Sequence, residues 1–191
     1  MHTELEIERK FTIDPRNIRP IEAYAATSGF ARVTPETTRD IYFADTDGRL
    51  VRENIMLRVR EENGRVTLDT KAPSATVGER FERIEKNYAF SGVSADSIVE
   101  LLALLGFTPS CSVAKTRQPW EKHSGTTRLR ICIDDVKGLG HFCEIEAAAP
   151  VGAPRTECIA ALDELQNALR AWLGEQQTRS YRELALAAAA R

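Results

Sequence analysis

TELEIERKFT, residues 3–12, alternates strictly. Glu4, Glu6, Glu8 and Lys10 fall on one side; Leu5, Ile7, Arg9 and Phe11 fall on the other. A period of two is the signature of a β-strand. What decides the fold is that the polar side is uniformly charged, where a solvated strand face usually mixes Thr, Ser, Lys and Glu. Asp14-Pro15 ends this strand, and residues 16–29 read as a helix closed by Gly29.

The same two-sided pattern recurs downstream. Residues 39–45 (RDIYFAD) predict a second strand, stopped at Asp47-Gly48. Residues 54–61 (NIMLRVRE) and 65–71 (RVTLDTK) flank Asn63-Gly64, a strong two-residue hairpin signal. A fifth strand is expected over 80–90, then a helix capped by Ser94 and stopped at Gly106. Strands follow at 112–120, 126–134 and 141–148, with a turn at Lys137-Gly138-Leu139-Gly140 between the last two. Residues 155–173 form an amphipathic helix with Ile159, Leu162, Leu165, Leu169 and Trp172 on one stripe, and a last helix spans about 178–190. Eight strands, mostly joined as hairpins, with helices outside predict an α+β fold built on a closed or nearly closed antiparallel barrel, in a single domain over residues 1–191.

The apolar alternates (Ile7 and Phe11; Leu57 and Val59; Val66 and Leu68; Leu129, Ile131 and Ile133; Ile145) need the helices as cover. The charged faces must then point inward. Eight cations fall there: Lys10, Arg58, Arg60, Lys71, Arg83, Lys115, Arg117 and Arg130. Six acids join them: Glu6, Glu8, Glu85, Asp134, Glu144 and Glu146. Asp69 shares the inward parity with no evident role. Enclosed charges are costly unless paired or bound to an ion. A polyanion among the cations, with a divalent ion between it and the acids, satisfies both sets.

Composition narrows the partners. A net charge of −2 gives no electrostatic reason to invoke nucleic acid. No apolar run reaches the ~18 residues of a membrane span, and the charged start MHTELEIERK is unlike a secretory signal. Cys111, Cys132, Cys143 and Cys158 form no CxxC pair and no zinc spacing with His2, His123 or His141. Reduced, packing-related cysteines point to the cytoplasm. Nothing in the sequence bears on oligomeric state.

These residues resemble the CYTH family, the triphosphate tunnel metalloenzymes, which takes in class IV adenylate cyclases, thiamine triphosphatases and inorganic tripolyphosphatases. Its hallmark E-x-E-x-K strand is matched by Glu6-Ile7-Glu8-Arg9-Lys10, within EIERKF. RDIYFAD, LRVR (57–60), Lys115-x-Arg117, IDDVKGLGHFCEIE (133–146) and SYREL (180–184) also fit, so the likeness runs from residue 4 to about 185. It implies a metal site at Glu6, Glu8, Asp134, Glu144 and Glu146 for Mg2+ or Mn2+, and phosphate binding by Lys10, Arg58, Arg60, Lys71, Lys115 and Arg117, joined by Arg83 and Arg130, with Tyr42 in the tunnel wall. Catalysis falls to Lys10, Arg60 and Glu85. On strand five, Arg83-x-Glu85 suits the family better than the competing Arg80-x-Glu82 register.

Phosphoryl transfer needs its phosphates neutralised, held in line and met by an oriented nucleophile. No Ser-His-Asp or Cys-His arrangement competes, and Lys137–Gly140 lacks the GK[ST] ending of a P-loop. Water attack gives a hydrolase acting on tripolyphosphate, thiamine triphosphate or a nucleoside triphosphate. Attack by a ribose hydroxyl gives a class IV adenylate cyclase. A polyphosphate sensor without turnover is the third reading, and the full set of metal acids speaks against it.

Overall fold

The computed structural model describes residues 4–73, 83–150 and 153–189. In chain order its elements are β1 (Glu4–Thr12), a 3₁₀ turn (Pro15–Asn17), α1 (Ile18–Thr27), β2 (Ala31–Arg32), β3 (Glu36–Asp45), α2 (Arg49–Arg52), β4 (Met56–Glu62), β5 (Arg65–Pro73), β6 (Arg83–Phe90), α3 (Ala95–Leu104), β7 (Phe107–Ser124), β8 (Thr127–Val136), β9 (Gly140–Pro150), α4 (Arg155–Leu169), β10 (Gln176–Gln177) and α5 (Tyr181–Ala189). The chain is α+β. Backbone hydrogen bonds join the strands in the order β10-β1-β9-β8-β7-β3-β4-β5-β6, with β2 on β7.

Among the described residues no pairing closes this path into a ring; the antiparallel strands with helices are those of the α+β fold that the sequence predicts. One end is β10, two residues long and paired to β1 only through Lys10↔Gln177 and Phe11↔Gln176. So short an edge carries no ladder onward. The eight long strands fall where the alternation predicts them. The two extra strands, β2 and β10, are too short to show a period.

The chain divides into two compact units: Met1–Glu36 with Thr116–Ser180, and Thr37–Lys115 with Tyr181–Arg191. In the first, β1 and β8 flank β9, and Leu162, Leu165 and Leu169 of α4 meet Phe11, Ile131 and Ile145 in a core that Ile21 and Ala25 of α1 also enter. Removing such a leucine costs about 2–5 kcal/mol. Arg9, the one charge on the apolar side of β1, bonds Asp163 at 2.7 Å and Gln166 at 2.6 Å, which ties α4 to the strand. The helix ends at Leu169, so Trp172 packs on this core from beyond it. Gly174 lets the chain return to β1: a Cβ there would lie 2.6 Å from Thr12 Oγ1.

In the second unit, Ile41, Phe43, Leu57, Val59 and Val66 pack under Ile98 and Leu102 of α3. Asn63 and Gly64 both have positive φ, 48° and 80°, as a two-residue hairpin turn requires. Strand β7 is longer than the sequence suggests and passes from the second unit to the first after Lys115. No helix among the described residues is long and apolar enough to cross a membrane.

Candidate active site

Opposite residues of an antiparallel pair share a face. On β1 and β9 the register is Glu8↔Glu146 and Lys10↔Glu144, so both strands place their charges on one side. Strand β8 continues it, with Arg130↔Glu146 and Cys132↔Glu144. Every residue from Phe142 to Ala149 is buried: the odd-numbered side chains enter the apolar core, and Glu144 and Glu146 are enclosed on the other face. Their burial requires cationic partners.

The principal partner is Arg117. Its Nε and Nη2 donate to the two oxygens of Asp134 at 2.7 and 2.8 Å, its Nη1 donates to Glu146 at 2.9 Å, and its Nη2 also reaches Glu144. Burial opposes the guanidinium charge, but Glu144 and Asp134 outweigh it and hold Arg117 well above its ordinary pKa. Lys10 lies 3.9 Å from Glu144. Arg130 divides itself between Glu146 at 3.3 Å and Glu36 at 3.0 Å. Burial pushes the Cys132 thiol well above its usual range, so it is neutral beside Glu146.

Glu8, Glu144 and Glu146 bring one carboxylate oxygen each within 4.8 Å of one another. Three hard oxygen donors at this spacing could hold a hard divalent cation. Asp134 is fully buried and engaged on both oxygens by Arg117, outside that trio; Glu6, opposite Ala148, is exposed one step along the strand.

The second unit holds a cluster of the opposite build. Asp40, buried on β3, faces Arg60 on β4, and Tyr42 faces Arg58. Arg60 grips Asp40 through Nε at 2.7 Å and Nη2 at 2.8 Å. Arg58 donates to Asp40 at 3.2 Å and, through Nε, to Asp69 on β5 at 2.9 Å. The Tyr42 hydroxyl donates to Asp40 at 3.3 Å. Burial raises the Asp40 pKa, but the Arg60 hydrogen bond and the charges of Arg58, Arg60 and Lys115 prevail and hold it below its usual value. Burial, then the charge of Asp40, pushes Tyr42 up to about 12. Lys115 also sits 5.2 Å from the Tyr181 ring centre.

Asp69, unexplained in the sequence, is thus the second anchor of Arg58. Asp40 and Glu36 were missed. Asp40 had a signal, because it lies two residues from Tyr42 and therefore on the same face. Arg117 is grouped with the acids rather than with Arg58 and Arg60, since it reaches Asp134, Glu144 and Glu146. Lys71 faces Met56 and Glu85 across its neighbours, and Arg83 faces Pro73, so all share the Arg58 side by register. The side chains of Arg83 and Glu85 lie outside those described, as does the whole Arg80-x-Glu82 alternative.

Strand register, buried acids and paired arginines together define a class. The chain belongs to the CYTH domain family, whose model matches residues 4–179. A Methanocaldococcus jannaschii protein named as a putative adenylate cyclase is 24% identical over 180 residues, covering 94% of this chain and 98% of that protein. A Pyrococcus horikoshii structure matches at TM-score 0.70 with 26% identity, over 98% of this chain and 100% of that one. A Hippeastrum structure, named likewise and described as revealing a dominant triphosphatase activity, matches at TM-score 0.71 with 14% identity, over 97% of this chain and 96% of that one.

Proposed function

We propose that the chain is a divalent-metal-dependent phosphohydrolase that cleaves a triphosphate: inorganic tripolyphosphate, thiamine triphosphate or a nucleoside triphosphate. The observation that carries this is the Glu8–Glu144–Glu146 trio in a chain that also holds Arg58 and Arg60 in fixed orientation. We read residues 1–191 as one functional domain. The four cysteines are free, which favours the cytoplasm.

Glu8, Glu144 and Glu146 would hold Mg2+ or Mn2+, with Glu6 beside them. The ion would supply charge neutralisation at phosphate oxygens and bind water. Arg58 and Arg60 offer guanidinium edges that match phosphate oxygens in pairs, while Lys71 and Lys115 act as point charges. Water attacks the terminal phosphorus, the bond to the bridging oxygen breaks, and the charge that develops there is met by fixed cations. Lys10, buried beside Glu144, is the lysine assigned to that charge. Arg83 and Glu85 belong to the same face by register.

Cyclisation of ATP remains the second reading because the Methanocaldococcus relative carries that name. One assay decides. ATP, thiamine triphosphate and tripolyphosphate are each supplied with Mg2+ or Mn2+, and phosphate, pyrophosphate and cyclic AMP are quantified. Metal-dependent phosphate release without cyclic AMP is the expected result. Cyclic AMP with equimolar pyrophosphate replaces hydrolysis with cyclisation; binding without any product makes the chain a sensor.

A further inference from the structure

A buried carboxylate among cations that are to bind a polyanion is electrostatically the wrong sign. Asp40 is 4% exposed and ionised, and it would repel every phosphate the cluster receives. We propose that Asp40 is a positioning residue: its single carboxylate fixes the guanidiniums of Arg58 and Arg60 so that their outer N–H groups are presented together to a polyphosphate. The inference rests on the reading of these arginines as phosphate ligands.

The geometry supports it bond by bond. Arg60 spends Nε and one Nη2 hydrogen on Asp40. Arg58 spends Nη1 on Asp40 and Nε on Asp69. Nη1 of Arg60 and Nη2 of Arg58 stand outside these bonds. The side chains of Arg60 and Arg58 keep 22% and 11% exposure, so neither is fully enclosed. Tyr42 stays protonated up to about 12 and gives Asp40 another donor, which restricts the carboxylate itself. Arginine side chains carry large rotamer freedom, and fixing it before the ligand arrives removes that cost from binding.

Charge and position predict opposite signs, which makes the inference testable. Wild type is first titrated with tripolyphosphate in EDTA by calorimetry. Absence of binding there, and again with Mn2+ in place of EDTA, would overturn the reading of Arg58 and Arg60 as tripolyphosphate ligands. Given binding, Asp40→Asn removes a repelling charge, yet it should weaken affinity about tenfold, as loss of an aligned charge-assisted contact does. Asp40→Glu keeps the charge, displaces the oxygens, and should also bind more weakly than wild type. In turnover, KM for tripolyphosphate should rise by more than kcat falls. Mn2+ affinity without substrate should stay at the wild-type value, which a general loss of structure would not allow. Affinity in Asp40→Asn that equals or exceeds wild type overturns the proposal and leaves the functional reading standing. If Asp40→Asn does not fold, Asp69→Asn loosens Arg58 alone and should weaken binding by a smaller factor; unchanged affinity there overturns the proposal equally.

Discussion

Arg117 and Asp40 are the hubs of two buried charge clusters, one in each compact unit. Around Arg117, three carboxylates converge on one buried guanidinium. Around Asp40, two guanidiniums and a phenol converge on one buried carboxylate. Both clusters form because an enclosed ion needs a partner of opposite sign. They differ in what is left over. Glu8, Glu144, Glu146 and Asp134 outnumber Arg117, Lys10 and Arg130, so under the proposed function the first cluster would be completed by a cation. Arg58, Arg60 and Lys115 outnumber Asp40 and Asp69, so under the proposed function the second would be completed by an anion. Under the proposed function the sign of the hub would thus set the sign of the ligand each region accepts.

The largest expected effect comes from removing the first hub. Arg117→Gln leaves Asp134 buried without its bidentate partner and should cost about 3–5 kcal/mol of stability. The thermal midpoint should fall, and Mn2+ should restore part of the loss by replacing the missing charge beside Glu144 and Glu146. A midpoint indifferent to Mn2+ in this variant would break the idea that a cation completes the cluster.

Next comes Glu144→Gln. A neutral amide is a far poorer ligand for a hard divalent ion. Since outer-shell partners alone are worth ~10–100-fold, turnover of tripolyphosphate should fall by about 100-fold or more, together with Mn2+ affinity. Full activity in the variant would remove Glu144 from the metal set.

Arg60→Ala tests the other region. Losing one charge-assisted contact costs ~1.5–3 kcal/mol of polyphosphate affinity, while Mn2+ affinity without substrate should not fall. Arg60→Lys should recover only part of the loss, because a point charge replaces a planar fork. Loss of metal binding with substrate affinity intact would reverse the assignment of the two clusters.

The smallest effects are those of pH. Asp40 titrates below its ordinary value of 3.8 in the folded chain. Its ion pairs therefore stabilise the fold above that value, and the contribution is lost as pH falls through the lower folded pKa. Tyr42 runs the other way: its pKa rises from 10.0 to about 12, so the stability linked to its neutral phenol fades as pH rises through that window. Ultraviolet titration of wild type against Tyr42→Phe isolates this phenol. Ionisation near pH 10 would contradict its burial beside Asp40.

Sequence by itself determined the strands, their parity and the charged face. Alternation in TELEIERKFT, NIMLRVRE and HFCEIEAA sufficed, because side chains on a strand must alternate sides whatever packs on them. The Asn63-Gly64 hairpin was equally legible, since few residue pairs accept two positive φ angles. Cross-strand partnership belonged to the tertiary structure. Glu8 meets Glu146, and Asp40 meets Arg60, through registers between strands that sequence spacing does not encode. The same holds for Asp69 as the anchor of Arg58 and for Arg117 as the counter-ion of Asp134, Glu144 and Glu146. A period places a charge on a face; only the folded register decides which opposite charge stands across from it, and that pairing sets the charge each cluster leaves for its ligand.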